Sequence, residues 1–269
     1  MRRIFIRMPL EVRLRGRSRA IPIWIDMTKD EVRRAADSGA VAVLPMGAVE
    51  QHGSHLPTGT DVFIAQRAVD LAVIETGDVS LPALTYGCSL GHTEAWPGTL
   101  SLSPHTLAAM VLDIGRWVRA SGFRKLVVVN SHATNGPPAQ SALLTLRHEV
   151  PDLKAGFVSL FDVTPEAREA YFADAREPHA NAAETSLIMH LEPGLVRRDR
   201  IVDEADRSIG RVLAYAMPEV TASGVVGSPS LASQDSGARI FADLVTGVTS
   251  LLRRARAETP PDIARDEGD

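Results

Sequence analysis

The stretch from 40 to 61 narrows the possible folds more than any other part of the chain. Residues 40–46 (AVAVLPM) form a short apolar run, the pattern of a buried strand. A helix-like segment begins near Asp61 and carries Val62, Phe63, Ala65, Val69, Leu71, Ala72 and Val73. A strand end, a loop and a helix start in this order are where α/β folds place their sites. Here the loop is dense in Gly, Pro, His and acid. Glu50 and His52 are two residues apart, so extended backbone points them to one side. Carboxylate and imidazole side by side suit a metal that prefers nitrogen and oxygen ligands. Gly53, Pro57 and Gly59 also fit a plain solvated turn, so the loop alone leaves both readings open.

The rest of the chain continues the alternation. Residues 21–25 read as a short strand, and Thr28 with Glu31 forms a capping box that opens a helix stopped at Gly39. Residues 79–84 read as a strand. Ser103 and Pro104 are an N-cap followed by proline at the first helical position. In that helix Leu107, Val111, Ile114, Trp117 and Val118 recur at helical spacing and are expected to face the core. The run 125–129 is the strongest strand, followed by a helix over 137–148, a strand over 155–161 and a helix over 164–175. The last helix carries Ile240, Phe241, Leu244, Val245, Val248, Leu251 and Leu252 on one stripe. Alternating strands and helices predict a three-layer α/β/α fold with a mainly parallel sheet. The expected organisation is a basic arm over 1–20, one domain over 21–256 and a disordered acidic tail over 257–269. The arm holds seven arginines, yet Ile4, Phe5, Ile6, Met8 and Leu10 are too apolar for a free tail, which suggests packing on a neighbouring subunit.

Composition excludes more than it selects. A net charge of -4 offers no case for nucleic acid as a partner. No apolar run approaches the ~20 residues that span a bilayer, so no membrane partner is expected. The single cysteine, Cys88, rules out an intrachain disulfide and is compatible with a cytoplasmic location.

Chemistry-bearing residues recur after the other strands. A Gly-rich loop over 86–99 carries His92 and Trp96 before Pro97-Gly98-Thr99. The central strand runs into Asn130-Ser131-His132-Ala133-Thr134-Asn135, which puts His132 at the mouth of the sheet. Further on stands His179-Ala180-Asn181-Ala182-Ala183-Glu184-Thr185-Ser186. These segments, with Pro45-Met46-Gly47-Ala48-Val49-Glu50-Gln51-His52-Gly53-Ser54-His55-Leu56-Pro57, the following Asp61 and a closing loop over 224–233, resemble the creatininase (creatinine amidohydrolase) family across roughly 24–256.

The resemblance implies a creatininase-like hydrolase holding two divalent metal ions, Zn, Mn or Fe, bridged by Asp61. Glu50 and His132 would serve one ion, and His52 with a further carboxylate the other. Creatinine-hydrolysing members take that carboxylate from a Glu two residues after the loop histidine, where this chain has Thr134. Glu184 is therefore the expected replacement. His179 matches the proton-shuttling histidine, so His179 and Glu184 are the catalytic candidates. His92, Trp96, Thr134 and Asn135 are the candidates for substrate binding, Asn135 also as an orienting residue. The implied reaction is attack by metal-bound hydroxide on a carbonyl of a small polar, cyclic substrate, breaking a C–N bond. The family also contains formamide-cleaving enzymes, peptide-trimming enzymes and hydrolases that open keto-inositol rings at a C–C bond. Ala133 stands where an aromatic is expected, and hydroxyls at Ser89, Thr93, Thr99, Ser131 and Thr134 suit a polar, polyhydroxylated substrate better than a flat one. The non-enzyme alternative is a metal-free binding module, and the intact set Glu50, His52, Asp61, His132 and Glu184 speaks against it. Family members assemble as rings, so a homo-oligomer such as a hexamer is expected.

Overall fold

The computed structural model describes residues 13–14, 17–18, 22–92 and 94–261. Apart from a two-residue antiparallel pair, β1 (Arg13–Leu14) with β2 (Arg17–Ser18), the expected N-terminal arm lies outside the described residues, as do Thr93 and the tail from 262 on. Four parallel strands form the central sheet in the order β4 (Val79–Ser80), β3 (Ala42–Met46), β5 (Lys125–Asn130), β6 (Lys154–Ser159). The helices are α1 (Lys29–Asp37), α2 (Thr60–Thr76), α3 (Pro104–Ala120), α4 (Gly136–Glu149), α5 (Pro165–Tyr171), α6 (Ala182–Leu191), α7 (Met217–Val220) and α8 (Gln234–Ala257).

The pleat sorts the central strands into two cores. Val41, Val43, Val127 and Val129 face α2, α6 and α8, while Ala42, Leu44, Met46, Leu126 and Val128 face α3 and α4. A strand with side chains buried on both faces needs apolar residues throughout, which is why these runs show no polar alternation. The result is the expected three-layer α/β/α arrangement.

Local signals explain most boundaries. The Thr28–Glu31 capping box is formed, with Thr28 N–H donating to Glu31 Oε2 at 2.7 Å. Gly77, at φ 73°, ends α2 in the left-handed conformation that glycine adopts without penalty. Pro45 is tolerated in a central strand because its carbonyl, and so its missing N–H, faces the β4 side, where Leu84 N–H donates to it at 2.9 Å.

Several expectations need correction. The strand over 21–25 is only a bridge between Ile23 and Ser80, followed by a 3-10 turn over Trp24–Asp26. The strand over 79–84 stops at Ser80 and rejoins β3 only through Leu84, because Pro45 has no N–H to donate across to it and the Ala83 N–H goes to Gln66 Oε1 at 3.0 Å instead. The helix expected over 164–175 closes at Tyr171. Trp117 is 73% exposed and does not face the core. The buried line of α3 runs through Leu107, Val111, Gly115 and Val118. At Gly115 the helix approaches α4 so closely that a Cβ would lie 2.5 Å from Leu146 Cδ1, so a glycine marks the contact line and Trp117 falls off it.

Candidate metal centre

The carboxyl ends of β3 and β5 hold the site. Glu50 and His52 come from the loop after β3, Asp61 from the first turn of α2, and His132 from the loop after β5. His92 ends a 3-10 turn, Leu90–His92. His179 is bridged to Val226, and Glu184 stands in the first turn of α6. All seven side chains are buried.

Main-chain contacts hold this assembly. Glu50 N–H donates to Thr58 O at 2.9 Å, closing the β3 loop on itself. Ser131 Oγ donates to Asp61 O at 2.7 Å, fastening the start of α2 to the end of β5. Asn181 caps α6 by accepting from Glu184 N–H at 3.2 Å, and Ala180 N–H donates to Glu184 Oε2 at 2.7 Å. Ala180 holds φ 51°, an uncommon conformation for a residue with a Cβ. The histidine therefore arrives from ahead of the helix and the glutamate from its first turn.

The five expected metal donors meet. Asp61 stands between two histidines, with Oδ1 3.3 Å from His52 Nε2 and Oδ2 3.3 Å from His132 Nδ1. Glu50 Oε2 is 3.3 Å from His132 Nε2, and Glu184 Oε2 is 3.8 Å from His52 Nε2. Glu50, Asp61 and His132 form one compact donor group, and His52, His179 and Glu184 a second. A third group joins Glu50 to His92 and His179, whose Nδ1 atoms lie 3.6 and 3.4 Å from Glu50 Oε1.

Burial and charge define what this cluster lacks. Glu50 Oε1 and Oε2, Asp61 Oδ2 and His52 Nε2 are buried without a hydrogen-bond partner. Such atoms are costly unless something outside the protein pairs with them. Among the described residues, every ion pair made by these three carboxylates is to histidine. Burial would push His52 and His132 down, but the carboxylates of Asp61 and Glu50 outweigh it, raising His52 to about 10 and His132 to about 9. Burial opposes ionisation of Asp61 too, yet His52 and His132 hold its carboxyl well below the usual range. Burial raises Glu50, and lifts Glu184 to about 7. Burial also keeps His92, at about 3, and His179 neutral. The nitrogen and oxygen donors of the cluster fit divalent metal ions.

The substrate candidates separate. His92 reaches the cluster. Trp96 is half-buried in a loop tied to the site by Thr99 Oγ1, which accepts from Gln51 N–H at 3.0 Å. Thr134 Oγ1 lies 2.7 Å from His132 Nε2 and donates to Cys88 O. Asn135 is fully buried and its amide is engaged by the framework. Its Oδ1 accepts from Cys88 N–H at 2.8 Å, and its Nδ2 donates to Gly47 O at 2.9 Å and Asn130 Oδ1 at 3.2 Å. It orders two loops, and at 0% exposure its amide faces the framework rather than the site opening. Sequence reasoning passed over Gln51, whose side chain touches both His92 and His179. Its only signal was its place between Glu50 and His52.

A parallel α/β/α fold with buried carboxylates and imidazoles at the strand ends defines the class of metal-dependent hydrolases. The family model for creatininase (creatinine amidohydrolase) matches residues 25–252. The chain belongs to the creatininase family. It is 31% identical over 259 residues to the mycofactocin precursor peptide peptidase of Mycobacterium tuberculosis, covering 91% of this chain and 96% of that one. It is 30% identical over 250 residues to the creatinine amidohydrolase of Pseudomonas putida, covering 87% and 95%. A creatininase mutant of Zn-Zn type superposes with a TM-score of 0.77 at 28% identity, over 89% of this chain and 98% of that one. Among the described residues, no helix is long and apolar enough to cross a membrane.

Proposed function

We propose that this chain uses two divalent metal ions to hydrolyse a C–N amide bond of a small polar substrate. The observation that carries the reading is the set of unpartnered buried atoms, Glu50 Oε1 and Oε2, Asp61 Oδ2 and His52 Nε2, converging in one cluster. Glu50 and His132 would hold one ion, His52 and Glu184 the other, with Asp61 shared between them. Ions in such a site lower the pKa of water to ~7 and polarise a carbonyl. Glu184 takes the role that Thr134 cannot fill, since a hydroxyl beside His132 adds no charge to the His52 half. Neutral His179 accepts the proton of the attacking water and passes it to the leaving nitrogen. His92 and Trp96 border the space for the substrate.

A cyclic amide is the first candidate. A short peptide is the second, supported by the peptidase similarity and by exposed Ala133, which offers no aromatic surface for stacking a flat ring.

Elemental analysis of wild type and Asp61→Asn, with hydrolysis assays on cyclic amides and short peptides, tests the reading. About two metals per chain are expected in wild type, falling with the activity in the variant. Wild-type protein that carries no metal after metal-supplemented purification would overturn it.

A further inference from the structure

Gln51 is buried between the donors Glu50 and His52, and backbone groups fix its orientation. Its Oε1 accepts from Gly53 N–H at 2.9 Å, and its Nε2 donates to Gly224 O at 3.2 Å. Those two contacts decide which end of the carboxamide is nitrogen. Gly224, at φ 76°, presses against it so closely that a Cβ there would lie 2.2 Å from Gln51 Oε1. The second hydrogen on Nε2 lies within reach of both His92 Nδ1 and His179 Nε2, each at 3.2 Å. His179 Nε2 faces the Gln51 carbonyl at 2.7 Å and so holds a proton of its own, which leaves His92 Nδ1 as the acceptor. Because that group only donates, His92 Nδ1 is an acceptor and its proton resides on Nε2. The main-chain carbonyl of Gln51 lies 2.7 Å from His179 Nε2. A carbonyl only accepts, so His179 carries a proton on Nε2, and in the neutral ring the lone pair is on Nδ1, 3.4 Å from Glu50 Oε1.

We infer that Gln51 is a positioning residue for the reaction: its main chain sets the tautomer in which His179 can accept a proton, and its carboxamide occupies His92 Nδ1. The inference rests on the reading of His179 as the proton acceptor. It also closes the third donor group, because His92 Nδ1, the atom facing Glu50 Oε1, is already engaged. His92 then serves the substrate side of the site and the chain holds two ions rather than three.

Long-range proton–nitrogen spectra of the full metal-free chain, with 15N-labelled histidine, read the tautomers directly. Wild type is expected to show His92 and His179 protonated at Nε2. Gln51→Glu puts an acceptor where the donor faces His92 and is expected to move a proton onto His92 Nδ1, while His179 keeps its Nε2 proton. In the metal-loaded chain, Gln51→Glu and Gln51→Met are expected to lower kcat about 10–100-fold on the amide that wild type cleaves, with KM altered less than about threefold. Metal content is expected to stay at the wild-type value. An Nδ1 proton on either histidine in wild type overturns the inference, as does an unchanged kcat in both variants. Absence of bound metal or of amide cleavage in wild type would sink the proposed function while leaving the tautomers readable.

Discussion

Replacing Gly47 by alanine is expected to damage the site through the fold alone, without replacing a donor. Gly47 ends β3 and lies against the first turn of α2. An added Cβ would stand 2.6 Å from Val62 N, 2.8 Å from Asp61 C and 2.9 Å from Val62 Cα. All three atoms are main chain, so no rotamer relieves the contact. Ordinary contact begins near 3.4 Å, so α2 must retreat by about 0.8 Å. Asp61 would be carried with it, away from His52 and His132, each now 3.3 Å from one of its oxygens. Overpacking of this kind costs ~1–3 kcal/mol, or about 2–12 °C in Tm for a domain of this size. Metal sites tolerate about 0.2 Å in ligand distance, so affinity for at least one ion is expected to fall tenfold or more. Thermal unfolding in chelator measures the first effect, and competition titration with Zn2+ measures the second. A variant that unfolds at the wild-type temperature and binds two ions with wild-type affinity would refute the claim that Gly47 sets the β3–α2 spacing.

Two further predictions concern parts of the chain away from the donors. Burial works against ionisation of Glu204, but hydrogen bonds from Ser223, Ala222 and Thr221 win and hold its carboxyl at about 2. A depressed folded-state value stabilises the fold above the unfolded value of 4.5 and ceases to do so as pH falls toward 2. Glu204→Gln is therefore expected to lower stability by about 1–2 kcal/mol near neutral pH, a figure discounted for partial exposure, with the gap closing below pH 4.5 in denaturant titrations. A gap at pH 2.5 as large as that at neutral pH would contradict it. Trp117→Ser is expected to change the stability of the isolated chain by less than about 0.5 kcal/mol, since the ring is exposed. A loss of 2 kcal/mol or more, on the scale of emptying a core position, would show that the ring is covered.

The outline of the site was legible because its donors sit at local landmarks. Glu50, His52 and Asp61 share one strand–loop–helix unit, and His132 follows the most apolar strand. Glu184 could be singled out as the candidate for the carboxylate absent at Thr134 from its place in the His179 segment, and its Oε2 lies 3.8 Å from His52 Nε2. The misreadings share a cause. Trp117 fits the apolar spacing of α3, but spacing cannot reveal that the helix contact line passes through Gly115. Asn135 was expected to orient as well as to contact substrate, and that its amide is taken up by Cys88, Gly47 and Asn130, partly from segments far along the chain, was likewise beyond spacing.

The sequence by itself determined the alternation of elements, the two-faced burial of β3 and β5, and which residues are the donor candidates, because those depend on local periodicity and side-chain chemistry. Tertiary structure alone decided which donors face one another, that Asp61 lies between His52 and His132, and that His92 and His179 share one carboxylate. It also decided the part played by Gln51. The acceptors of its carboxamide and the donor to its carbonyl include Gly224, His92 and His179, residues that only the closing of the sheet and its loops brings within hydrogen-bond reach.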